Sequence, residues 1–164
     1  MLFLRWLSTI LILPLNALFI IPGAILYFSD YRWQTPSMGR IFVAAMFAAV
    51  GLALAFWTMR LFHTDGQGTP APWDPPKKFV VHGPYLYVRN PMMNSVFLMA
   101  ATEMLVIDSA YLFLWFAVFY LGNLIYIPLI EEKKLEKRFW PAYLEYKRNV
   151  PRWLPKLIAW KKQH

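Results

Sequence analysis

The sequence predicts an all-α integral membrane protein: four transmembrane helices followed by an amphipathic helical tail on the cytoplasmic side. Three observations predict it. Apolar residues make up 59% of the 164-residue chain, an excess that a single soluble domain of this length has too little interior to hide. The excess is gathered into four runs, Trp6–Phe28, Ile41–Met59, Pro91–Ile107 and Ser109–Ile130, and only Pro91–Ile107 holds a charge, Glu103. Each run reaches or nearly reaches the ~20 helical residues that a ~30 Å hydrocarbon core requires. Charge placement is the third observation. With four crossings, the N-terminus, the 60–90 loop and the tail share one side, and that side holds all of the 17 Lys and Arg except Arg32 and Arg40. Such a split makes the basic side cytoplasmic. The formal charge of +8 therefore orients the chain and attracts anionic headgroups, and nucleic acid is not needed to explain it.

Taken in order, the first run is too long for the apolar core of a signal peptide and no small-x-small site follows it, so it reads as a retained helix. Pro14 and Pro22-Gly23 predict a kink in it. The second run carries Ala44, Ala45, Ala48, Ala49, Gly51, Ala53 and Ala55, small residues that permit close helix approach. Residues 1–62 thus form a unit of two N-terminal helices. Residues 63–164 form a second, integrated unit of long loop, helical hairpin and tail. In the loop, Pro70, Pro72, Pro75 and Pro76 predict a stiff extended arm. Asp108-Ser109 alone separates helices three and four, which predicts a tight hairpin. Pro128 removes a donor and frees the carbonyl of Leu124, so the fourth helix is expected to bend there. In the tail, EEKKLEKRFWPAYLEYKRNV sets Leu135, Phe139, Tyr143 and Tyr146 on one helical stripe. Pro141 interrupts it once and is expected in the first turn of a second short helix. The stripe reads as an anchor lying on the bilayer surface.

The absence of cysteine excludes a disulfide, a thiolate nucleophile and a cysteine metal site. Gly66-Gln67-Gly68 follows no strand, which excludes a dinucleotide fold. His63, His82, Asp65 and Asp74 lack ligand spacing on a rigid element, so no metal is predicted. Asn16 and Asn94 read as interhelical hydrogen-bond partners. Glu103 is a costly carboxylate in an apolar helix, and both a functional role and simple snorkelling past nearby Asp108 stay open. At about 100° per residue, Tyr120, Asn123, Leu124, Ile127 and Glu131 fall on one face, a polar-lined strip descending into the membrane. The same end of the molecule carries HGPYLYVRNPMMN, residues 82–94, rigid and polar at the mouth of a helix.

The succession GPY-x-Y-V-R-N-P, helical hairpin, EE, L-x-x-x-F and Y-L-E-Y-K-x-x-V-P-R-x-L-P resembles the isoprenylcysteine carboxyl methyltransferase family and the related phospholipid N-methyltransferases. The likeness runs from about Gly66 to Pro155, and the arm GTPAPWDPP is similar to that of the small bacterial members. The resemblance implies a multi-pass bacterial inner-membrane enzyme with both termini cytoplasmic. It would use S-adenosylmethionine to methylate a small apolar or lipid-like acceptor, with membrane lipids as its surroundings and no metal. By position, Lys77, Lys78, Phe79, Val80, Tyr85, Asn90, Pro91, Met92, Met93 and Glu131 would contact the cofactor, and Arg89 would suit its carboxylate. Glu132 and Tyr120 are candidate catalytic groups, and Asn123 and Ile127 candidate substrate contacts. Three departures stand out. The usual R-H-P is Arg89-Asn90-Pro91, the usual Pro-x-Tyr tyrosine is Met93, and an arginine found in the prenylcysteine enzymes is Ile127. An arginine there would suit a substrate carboxylate, so isoleucine argues against prenylcysteine. A nicotinamide enzyme of the sterol reductase type and a non-catalytic lipid-binding protein are the alternatives.

Overall fold

The computed structural model describes residues 14–66 and 77–161, which form helices and their connections with no strand among them. We number the helices α1 (Asn16–Phe28), α2 (Met38–Gly66), α3 (Pro91–Ile107), α4 (Ala110–Arg138) and α5 (Ala142–Asn149). A 3-10 turn, Gly83–Leu86, precedes α3. Two of these, α2 and α4, each 29 residues, are long and apolar enough to cross a membrane, whereas α1 and α3 are shorter apolar helices.

Proline shapes α1 and α4 in the same way. Pro22 cannot donate to the carbonyl of Leu18, and the turn before it, Asn16–Ile20, widens to a π-helix in which Ile21 N–H reaches back to Asn16 O. Pro128 sits inside another π turn, Ile127–Glu131, closed by Glu132 N–H on Ile127 O; a π turn without proline, Phe62–Gly66, ends α2. Both proline irregularities fall where a missing donor predicted them.

The small face of α2 packs on α3, and this is the largest helix contact among the described residues. Ala44, Gly51 and Thr58 are its buried residues. A Cβ on Gly51 would stand 3.2 Å from the Ser95 carbonyl. Thr102 Oγ1 donates across the interface to Ala44 O at 3.3 Å. The two-residue connection does reverse the chain between α3 and α4, with Asp108 in the left-handed region, but α3 packs far more extensively on α2 than on α4. A short loop sets direction, and side-chain size sets which backbones approach. Helix α4 instead leaves Phe113, Leu114, Val118, Leu121 and Ile125 mostly exposed, an apolar surface suited to lipid. Trp115 Nε1, donating to Ala17 O at 3.1 Å, ties α4 to α1.

The tail departs from expectation. Its aromatic stripe faces the protein: Tyr143, Tyr146 and Val150 form a small core, with Phe79, Val81, Leu135, Phe139 and Trp160 packed around it. A stripe announces that one face is covered without saying by what, and here the covering surface is the 79–81 segment rather than a bilayer. Pro141 stands at the N-cap of α5. Beyond α5 the chain is not helical. Residues 150–161 form a strap that returns along the 3-10 turn, with Arg89 N–H on Pro151 O at 2.9 Å, Lys156 N–H on Tyr87 O at 3.1 Å and Trp160 N–H on Leu86 O at 2.9 Å.

Candidate functional site

The π turn at Pro128 decides which glutamate is buried. A π turn adds one residue, so side chains beyond it are rotated relative to a regular helix. The position in line with buried Ile127 therefore falls to Glu132, which is 1% exposed, while Glu131 is half-buried. The face drawn at 100° per residue through Tyr120, Asn123, Leu124 and Ile127 does not continue regularly to Glu131.

Glu132 is held by cations from three other segments. Arg152 of the strap makes a bidentate pair through Nε at 2.8 Å and Nη2 at 2.9 Å. Arg89, at the mouth of α3, approaches through Nη2 at 3.1 Å, and its Nη1 donates to Lys147 O at 2.7 Å. Lys147 lies 3.7 Å from Glu132 and also pairs with Glu136. Two arginines against one buried carboxylate leave a local positive charge. Arg89 Nε is buried and has no acceptor among the described residues, a situation native proteins rarely leave uncompensated.

Tyr85 is buried beside this cluster, its ring edge-on to Phe62 at 5.9 Å. Its carbonyl accepts from the Tyr146 hydroxyl at 2.7 Å. Burial pushes its own hydroxyl well above the ordinary phenol range, and the charges of Tyr146 and Glu131 add to the shift. Phe79 stacks on Phe139 at 5.3 Å and meets Tyr146 edge-on, and Val80 is buried. Lys77 and Lys78 are exposed, and both their N–H groups donate to Gly66 O, at 2.8 and 3.2 Å. The proline arm between them and Gly66 lies outside the described residues.

Asn90 and Asn94 fasten the strap, through Nδ2 to Arg152 O at 3.4 Å and to Trp153 O at 2.8 Å. Asn94 thus meets the strap, where an interhelical partner was expected. Pro91 is buried, and Met92 and Met93 are half-buried. Tyr120 packs against Phe97 at 4.8 Å. Asn123 Nδ2 bonds within its own helix, to Phe119 O at 2.8 Å. His82 Nδ1 and Asp65 Oδ2 meet at 3.0 Å on the surface, and among the described residues no three metal-ligating side chains gather. The structure therefore brings together Phe79, Tyr85, Arg89, Glu131 and Glu132, sets Asn90 on the strap, and keeps Tyr120 and Asn123 earlier along α4. Reading residues one at a time missed Arg152, Lys147 and Tyr146. All three stand in YLEYKRNVPR, whose basic residues counted in the sequence only toward orientation in the membrane.

The family model for phospholipid methyltransferase matches residues 39–142, from the start of α2 to the start of α5. No curated protein and no solved structure matches the chain. Together with two helices of membrane-crossing length, this match marks a membrane methyltransferase with a lipid-like substrate. It covers more than half of the sequence, and the chain belongs to the phospholipid methyltransferase family.

Proposed function

We propose that the protein transfers the methyl group of S-adenosylmethionine to an apolar or lipid-like acceptor reached from the bilayer. In this reading the chain crosses the bacterial inner membrane four times, with both termini and the 63–90 loop cytoplasmic. Residues 63–164 work as one unit. The reading rests on one observation above others: buried Glu132 and Arg89 with partly exposed Arg152, one positive charge in excess, and Arg89 Nε unpaired among the described residues. The carboxylate of an amino-acid-like ligand answers both deficits.

The residues fit such a cofactor. Arg89 offers Nε to its carboxylate, Glu131 accepts from its ammonium or ribose hydroxyls, and Tyr85 and Phe79 supply apolar walls. When bound, the cofactor supplies an electrophilic methyl group on a sulfonium. Transfer is an in-line displacement, so these side chains act by positioning and by excluding water. Glu132, committed to two arginines, positions them. That leaves Tyr120 as the candidate group to accept a hydrogen bond from, and so orient, an acceptor that arrives protonated. The exposed face of α4 beside Tyr120, Asn123 and Ile127 is the lipid side from which an acceptor enters.

Calorimetric titration of the detergent-solubilised protein with S-adenosylmethionine tests this. Binding is expected, and NADPH is expected to give none. Glu131→Gln keeps the volume and removes a charge-assisted bond, so affinity falls about tenfold to a hundredfold. Asp108→Asn, at the other end of the bundle, leaves it unchanged. Equal losses from the two substitutions would put the pocket elsewhere.

A further inference from the structure

The strap carries three aliphatic side chains that the described residues leave uncovered: Leu154 is 81% exposed, Leu157 98% and Ile158 80%. A single exposed leucine is ordinary, but three within five residues need a solvent that suits them. Two contacts set the strap's depth. Pro155 lines a cavity of about 220 Å³ together with Leu54 and Trp57 of α2. Leu54 lies six residues before Arg60, the first charge at that end of the apolar run, which is about 9 Å along a helix. Trp153 packs its ring 5.7 Å from Phe97, six residues inside α3 from Pro91, again about 9 Å. Contacts with two different helices thus bring the strap to the level of their apolar turns.

We infer that the strap is a re-entrant membrane anchor, with Leu154, Leu157 and Ile158 inserted among the acyl chains beside α2. A bilayer is the occupant because the patch adjoins Trp57 and continues onto the exposed apolar face of α2, where Phe56 is 67% exposed. Lys161 is exposed at the strap's far end and Arg148 before its start, where long basic side chains reach headgroups. Irregular backbone is tolerated at such depth only where its polar groups have protein partners. Part of the strap's backbone has such partners, on both sides of Leu157 and Ile158: Lys156 and Trp160 N–H on Tyr87 and Leu86 carbonyls, and the Pro151, Arg152 and Trp153 carbonyls that accept from Arg89 N–H, Asn90 and Asn94. The inference rests on α2 crossing the bilayer.

The chain contains no cysteine, so single-cysteine variants report position directly. Leu157→Cys, Phe56→Cys and Arg148→Cys replace exposed side chains and leave the fold intact. Each is labelled with an environment-sensitive fluorophore in the full chain, in vesicles of phosphatidylcholine and phosphatidylglycerol. An acyl-chain nitroxide lipid is expected to quench the Leu157 and Phe56 labels several-fold more than the Arg148 label, and aqueous iodide to do the reverse. A Leu157 label open to iodide beside a lipid-quenched Phe56 label would overturn the anchor and leave the α2 span standing. A Phe56 label untouched by the lipid quencher would overturn both. A Leu157 label shielded from both quenchers would mean that another protein copy covers the patch, which also overturns the anchor.

Discussion

At one end of the bundle Arg40 and Asp108 meet at 2.6 Å with 33% and 52% of their side chains still in solvent. At the other, Glu132 is 1% exposed and takes Arg89 and Arg152 together. The chemistry is the same and the consequence is not. An exposed pair is screened by water and salt, and it loses side-chain entropy for little net gain. A buried cluster surrenders the hydration of every ion in it, and it holds only while all partners are present. Its use is geometric. One carboxylate on α4 is tied to the mouth of α3 and to the strap, three segments distant in sequence, so their relative positions are set at the place where the candidate cofactor residues converge. The opposite end has a surface pair and the bond from the Tyr31 hydroxyl to the Ile107 carbonyl, which close the helix ends without specifying a site.

The contrast is tested most severely by Glu132→Gln. The buried Arg89 and the partly exposed Arg152 would lose their shared anion, and breaking a buried pair by removing one partner costs about 3–5 kcal/mol. Thermal unfolding in detergent should show the largest loss of any single polar substitution here. A melting point equal to the parent's would mean that water reaches the cluster and that the two ends do not differ. Between the ends, the α2–α3 seam is held by close approach. Gly51→Val places methyl groups against the Ser95 carbonyl and the Leu98 and Met99 side chains, an overpacking worth about 1–3 kcal/mol. Gly122→Ala on α4, where nothing lies within 4 Å, should instead stabilise by about 0.5–1 kcal/mol through helix propensity. A Gly51→Val protein as stable as the parent would show that the seam is not tightly packed.

The smallest effect is expected from Asp108→Asn. The hydrogen bond from Arg40 holds the Asp108 carboxyl below its ordinary value. Because the folded value is depressed, the pair contributes above the unfolded carboxylate range, and the contribution disappears as pH falls through the folded value. Parent and variant should therefore melt almost together at neutral pH in ordinary salt, and coincide in acid. A loss approaching that of Glu132→Gln would erase the distinction between the two ends.

Much of this molecule was legible from local rules. Missing donors at Pro22 and Pro128 marked two of the three π turns among the described residues, Pro91 marked the start of α3, and Asp108-Ser109 marked the reversal between α3 and α4. The run of small residues in α2 marked the helix face that meets its neighbour most closely, and the succession of motifs along the chain indicated the family. Each of these is decided within a few residues by covalent geometry, side-chain size or the order of motifs, which a sequence displays directly. The site's finer arrangement was not legible. One extra residue in the turn at Pro128 moved burial from Glu131 to Glu132, and a helical wheel carries no sign of it. The aromatic stripe of the tail had a visible face and no visible partner. That partner came from Phe79 and from the Tyr146 hydroxyl on the Tyr85 carbonyl, 61 residues away. Asn90, Asn94 and Arg89 met a strap some 60 residues downstream. Such pairings are selected by the whole packed arrangement, because a buried polar group takes whatever partner the fold brings within reach.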